Sequence, residues 1–484
     1  MPYLNSLQRW ARDRGARTAV AVGSDSLGYA ELLERASALL PSTGPVSALC
    51  QPNSLDLVAR FTAGIAGLRA AAVLDPAWPE PVRGAVLARI AVLGAADLPS
   101  LALEPGVQLV DGPPESSFLI GLTSGTTSTP KGFHRSRASW RLSFDAGIDY
   151  FGLADDDVTL APGPLAFSLN LYTMAECLYA GSEFRTLAEP TAAAAVQAVA
   201  DHGVTRLVLV PTMAALMATH ALAAGSTAPG LRSIICAGSA LDPATVDLLR
   251  RWAPAAQVHQ YYGASELGFI AAGTPVAGNP QDGGPAACAA PDPAQGAAVG
   301  LPFPGVEVAI RGDDGAVLGP GEAGTIHVRS PLISSGYLWG DDGRAFTSSA
   351  GWSTVRDKGF LDDAGTLHVL GRDSDMVISS GHNIYPHEVE AVLSRCPGVA
   401  RVVATGVRDA VRGQRLVAAV AAEPGTAVDA AVLRAAAVAA LPAHKRPGRY
   451  YSLEALPLTA AGKISRAMLQ AWIEEGHEGA HRIF

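Results

Sequence analysis

At 484 residues the chain is too long for one ordinary core, so two or more domains are expected. Hydrophobic residues at 49% and charged residues at 17% exclude a disordered chain, and a formal net charge of -9 argues against a protein that coats nucleic acid. Any phosphate-bearing ligand must be held by local features.

The first twenty residues, MPYLNSLQRWARDRGARTAV, carry charges where a signal peptide needs an apolar core. The five cysteines are scattered and form no CxxC, which suggests neither a zinc site nor a disulfide framework and gives a cytoplasmic reading. The segment FLIGLTSGTTSTPKG, residues 118–132, predicts a short apolar strand feeding a loop of Thr, Ser and Gly that ends in Pro130-Lys131-Gly132. Glycines let backbone N–H groups converge on an anion, hydroxyls add donors and a lysine adds charge, so the segment reads as a phosphate cradle. Its spacing is not that of the GxxxxGK[ST] loop.

Further along, LVLV at 207–210 precedes the helical MAALMATHALAA, and SIICAG precedes DPATVDLLRRWA. Strands alternating with crossover helices predict an α/β fold with mainly parallel sheets. The apolar stretch Leu207–Ala224 is broken by Pro211, Thr212, Thr219 and His220, so it predicts a strand and helix, with no membrane span. Residues 273–300 are rich in Pro, Gly and Ala without a period, which predicts a loop or meander. From 306 to 328 short strands with Gly-rich turns predict a small antiparallel, barrel-like part. A boundary near Arg372 divides the large domain, 1–372, from a small mobile α+β domain, 373–484.

Four segments in order resemble the adenylate-forming superfamily, which includes acyl-CoA and aryl-CoA ligases, peptide-synthetase adenylation domains and beetle luciferases. The first is TSGTTSTPKG itself, with Ser128 where the family usually has glycine. The second is HQYYGASELG at 259–268, the third GWSTVRDKGFLDDAGTLHVLGRDSDMVISSGHNIYPHEVE at 351–390, and the fourth LPLTAAGKISRAML at 456–469.

The resemblance implies ATP, Mg2+ and CoA as cofactors and a small carboxylic acid as substrate. It implies phosphate contacts from Thr123, Ser124, Gly125, Thr126, Thr127 and Lys131. Tyr262 would stack on adenine, Gly263 and Ser265 would lie near the phosphates, and Glu266 would hold magnesium. Ala237, Gly238, Ser239 and Tyr261 would meet the adenine edge and acyl group. Asp357 would accept from the ribose hydroxyls, and Arg372 would reach ribose or phosphate. Lys463 would be the catalytic lysine of adenylation. Ser374 would be the hinge and Gly381 the glycine beside the CoA arm.

By the same resemblance the acid pocket involves Phe167, Ser168, Asn170, Thr212 and Met213, with Asp145 and Glu176 as acidic candidates for a substrate ammonium. Arg408, Arg412, Arg415, Lys445 and Arg446 are candidate contacts for CoA phosphates. Two alternatives to CoA stay open as acceptor: a carrier-protein thiol, and a non-thiol partner such as an amine or nitrite.

Overall fold

The computed structural model describes residues 3–94, 97–98, 108–123, 130–275, 297–341, 343, 345–372, 375–379, 382–409, 412–423, 425–459 and 462–484. The chain forms two compact units. The first comprises residues 1–277, 302–307 and 328–355, the second 278–301, 308–327 and 356–484.

In the first unit the main sheet runs, in spatial order, through Gly268–Gly273, Gln257–Ala264, Ser233–Ala237, Arg206–Leu209, Val158–Leu160, Glu183–Thr186, Thr18–Val22 and Asp25–Gly28. The six inner strands are parallel, and the two outer ones pair antiparallel. Arg206–Leu209 is buried at every position, as expected of a strand covered on both faces. On one face the cover comes from the helices Ala192–Asp201, Pro211–Ala223 and Pro243–Trp252, whose apolar faces share a core with Leu207, Leu209, Ile234 and Val258; on the other, Arg206 and Val208 face Thr173 and Glu176 of the helix Ser168–Ala180. The helix Pro243–Trp252 begins on Pro243 with Asp242 accepting from the Thr245 N–H at 2.8 Å, so two of the usual start signals coincide.

A second sheet in the same unit runs Val46–Leu49, Ala70–Val73, Ser117–Thr123, Lys131–Ser136 and Gly336–Trp339. Its first three strands are parallel and its last two antiparallel. Fully buried Arg137 ties this sheet to the preceding chain, donating to the carbonyls of Ile65 at 2.9 Å, Gly67 at 2.8 Å and Arg69 at 3.2 Å.

The second unit opens with an antiparallel sheet. Asp357–Leu361 pairs with Leu367–Arg372, Gly324 and Thr325 lie opposite Gly359 and Lys358, and Ala297 and Ala298 lie opposite Val369 and His368. Its C-terminal part is a mixed sheet built on the long hairpin of Val399–Asp409 and Gly413–Ala422. Residues alternate between two cores, as a period of two requires: Val402, Ala404, Leu416, Ala418 and Val420 on one face, Val403, Val407, Val417 and Ala419 on the other. The helices Pro386–Leu393 and Ala430–Ala440 cover the first face, and Arg466–Glu475 covers the second through Leu469 and Trp472.

Burial, with Arg466 and Lys445 nearby, pushes the His387 imidazole from 6.5 down to about 3. The acids around it, Glu388 and Glu390, are committed to Lys445 and Arg466 respectively. Above pH 6.5 both folded and unfolded chains hold His387 neutral, so it contributes nothing to pH dependence there. Below that value the unfolded chain takes up a proton that the folded chain refuses, so stability falls as pH falls toward 3, by up to about 1.4 kcal/mol per unit. Urea midpoints of the wild type should drop more between pH 7.5 and about 5 than those of His387→Phe; equal drops would remove the histidine from the effect.

Candidate active site

The signature strand Ser117–Thr123 turns back antiparallel into Lys131–Ser136, with Thr123 opposite Lys131. Ser124, Gly125, Thr126, Thr127 and Ser128 lie outside the described residues. The flanks are held by aromatic rings on glycine. A Cβ at Gly121 would meet the Phe133 ring at 2.2 Å, and one at Gly132 would meet the Trp339 ring at 2.4 Å. Trp339 Nε1 also donates to the Pro130 carbonyl at 2.8 Å, so the chain arrives at Lys131 on a fixed course.

The Lys131 ammonium lies 5.3 Å from the centroid of the Tyr337 ring, within cation–π range. The Tyr337 hydroxyl donates to Glu266 Oε1 at 2.6 Å, and the Glu266 side chain is 8% exposed. Lysine, phenol and carboxylate thus form one continuous group. Sequence reasoning missed Tyr337. Its only sequence signal is the aromatic pair between glycines in SSGYLWG.

Glu266 lies in the turn that follows the strand Gln257–Ala264, whose register with Gly268–Gly273 shifts between Tyr262 and Gly263. A Cβ at Gly263 would meet the Gly268 carbonyl at 2.6 Å, so this bulge requires glycine. Ser265 follows within the same turn, and Tyr262 sits opposite Ala271. Tyr261 lies between Ala237 and Ala272 in register, and burial raises its phenol far above the ordinary value. The strand Ser233–Ala237 ends there, and Gly238, with φ of 93°, turns the chain away before Ser239.

Thr212 and Met213 open the helix that follows Arg206–Leu209, and Ser168 and Asn170 open the helix Ser168–Ala180. All these residues therefore gather at the carboxyl ends of parallel strands, the usual ligand edge of an open α/β sheet. Two of them have structural work. Asn170 Nδ2 donates to the Pro164 carbonyl at 3.0 Å, and Met213 packs against the helical core. Phe167 is half-buried at the start of its helix. Of the two acidic candidates, Asp145 accepts from the Tyr179 hydroxyl at 2.7 Å and Glu176 is bound to Arg206 at 2.8 Å.

In the second unit Asp357 is 4% exposed and opposite Arg372 in register. Arg356 before it has φ of 64°, the left-handed region that favours glycine. Lys463 belongs to a tight turn: the Thr459 N–H donates to its carbonyl at 2.7 Å, its own N–H donates to Thr459 Oγ1 at 3.2 Å, and Leu458 bridges Ile464. Ser374 and Gly381 lie outside the described residues. Several cations considered for CoA have partners inside the unit. Arg415 and Arg412 reach Asp409 at 2.6 and 3.8 Å, Lys445 reaches Glu388, and Arg446 donates to the Leu441 carbonyl at 2.9 Å.

Among the described residues no cluster of three or more His, Cys, Asp or Glu side chains could hold a metal ion. One buried carboxylate, held in place by a phenol, is the donor set expected for magnesium that arrives mainly on nucleotide phosphates. No helix among the described residues is long and apolar enough to cross a membrane.

The fold and this arrangement define an adenylate-forming enzyme. The chain belongs to the AMP-binding enzyme family, matching it over residues 95–338 and its C-terminal domain over 388–463. It is similar to the uncharacterized acyl–CoA ligase YhfT of Bacillus subtilis, 32% identical over 78% of this chain and 73% of that protein. It is also similar to the indoleacetate–CoA ligase of Aromatoleum aromaticum, 31% identical over 86% of this chain and 78% of the relative. Among solved structures, the amide bond synthetase McbA of Marinactinospora thermotolerans superposes with a TM-score of 0.79, at 26% identity over 97% of this chain and 99% of that one. The chain is an AMP-forming ligase that activates a carboxylic acid with ATP.

Proposed function

We propose that this enzyme activates a small aryl or fatty acid as its acyl-adenylate and then transfers the acyl group to CoA. The observation that carries the reading is the coupled group of Lys131, Tyr337 and Glu266 beside the signature strand. A carboxylate oxygen attacks the α-phosphorus of ATP, a new P–O bond forms, and the bond to pyrophosphate breaks. Two anions must be aligned and their charge neutralised, which asks for positioning and electrostatics rather than covalent help. Lys131 supplies fixed positive charge, and Lys463 supplies a second cation. Glu266 would hold magnesium, which draws electron density from the phosphate oxygens when bound. Asp357 and Arg372 would take the ribose. The thiol of the acceptor then attacks the acyl carbon, and AMP leaves.

The second reading is transfer to an amine, supported by the likeness to an amide bond synthetase; a carrier-protein thiol is the remaining thiol acceptor. A pyrophosphate-exchange screen over acids, followed by mass analysis of products with CoA, carrier protein or amines added, tests all three. Exchange with at least one acid and a CoA thioester as product is the expected result. Exchange without thioester, but with amide, would replace CoA by an amine as acceptor.

A further inference from the structure

An ion pair cut off from solvent lines one small cavity together with Tyr261. Glu176 Oε2 and Arg206 Nη2 are 2.8 Å apart, and their side chains are 2% and 3% exposed. The pair is incompletely satisfied. Among the described residues no protein group accepts from Arg206 Nε or Nη1, and none donates to Glu176 Oε1. Gly147 leaves room for that oxygen, since a Cβ there would stand 2.6 Å from it. Buried polar atoms without partners are rare, and each calls for a water or a ligand group.

Glu176 and Arg206 border a cavity of about 10 Å³ whose other walls include Phe151, Tyr172, Tyr261 and Phe269. That is room for about one water-sized group. The Phe269 ring stands edge-on to both Tyr172, at 5.6 Å, and Tyr261, at 4.8 Å. Sequence position links this cavity to the acid site. Ile235 lines it two residues before Ala237 on the same strand face, Thr173 lines it one helical turn after Asn170, and Tyr261 belongs to both.

We propose that this pair forms the far end of the acid pocket and recognises a single hydroxyl or amino group on the ring of an aromatic acid. The inference rests on the acid-activation reading given above. The chemistry is selective in kind. Arg206 offers N–H donors and Glu176 Oε1 an acceptor, so the matching group must both accept and donate. A hydroxyl or amino group does both and occupies one heavy atom. A fatty-acid methyl does neither and would leave Arg206 Nε and Nη1 without acceptors. The aromatic walls favour a flat ring leading up to that group.

The test measures pyrophosphate exchange by the full-length wild type with benzoate, cinnamate, their ring-hydroxylated and ring-aminated forms, and a series of straight-chain fatty acids. A substituted acid should exceed its unsubstituted parent in kcat/KM by on the order of a hundredfold, since a site built for a polar group rejects analogues that lack it. Arg206→Met should bring that ratio toward one. Should this variant not fold, Gly147→Ala, which crowds Glu176 Oε1 and keeps both charges, should lower the ratio instead. Exchange that ignores the substituent would mean that the cavity holds only water, and would overturn the proposal while leaving acid activation intact. Exchange restricted to unsubstituted fatty acids would overturn it as well. No exchange with any acid would overturn both readings together.

Discussion

Replacing Lys463 by alanine is expected to slow acyl-adenylate formation by about a hundredfold or more, the scale for losing one preorganised charge at a developing anion. The side chain stands on a turn closed by the Thr459 N–H bond to the Lys463 carbonyl and by the Leu458–Ile464 bridge. These contacts use backbone and Thr459 atoms alone, so the substitution should leave the turn intact. Thiolysis of a supplied acyl-adenylate should change much less, because no pyrophosphate leaves in that step. Measuring both half-reactions on one preparation separates the roles. Equal loss in the two would show that the lysine is not confined to adenylation.

Glu266→Gln should be comparably severe for adenylation. Glutamine keeps an oxygen for the Tyr337 hydroxyl, now 2.6 Å from Glu266 Oε1, so the local fold should persist while the negative charge is lost. The rate should fall by on the order of a hundredfold, and the magnesium concentration for half-maximal rate should rise. An unaltered magnesium dependence would take Glu266 out of that role, whatever happened to the rate.

Much of the architecture was legible because its signals are local. LVLV and SIICAG are continuous apolar runs followed by helical sequence, and they became adjacent parallel strands with covering helices. VARVVATGV and QRLVAAVAA are likewise continuous apolar runs, and they pair as adjacent antiparallel strands of the small domain. Glu266 could be singled out because it sits in a contiguous segment. Tyr337 could not, because its meaning comes from pairing Tyr337 with Phe133 across some two hundred residues of chain. Arg206 was equally silent: a charge at the edge of an apolar strand looks like a solvated flank, and only the packing of helix Ser168–Ala180 brings Glu176 to it. The separation into interleaved units was also hidden, since residues 302–307 and 328–355 rejoin the first unit after the chain has left it. Such returns depend on tertiary contacts that no local pattern encodes.

The pairing of Thr123 with Lys131 has a practical consequence. Both ends of the intervening stretch are fixed from outside it, by a strand register and by the two glycine–aromatic contacts at Gly121 and Gly132. Any change confined to residues 124–129 is therefore flanked on both sides by positions that the rest of the fold holds. A library randomised over that stretch alone, which the family resemblance puts at the phosphates, would vary hydroxyl number there while the flanking register and contacts keep Lys131 in place, which makes it a natural place to begin retuning nucleotide preference.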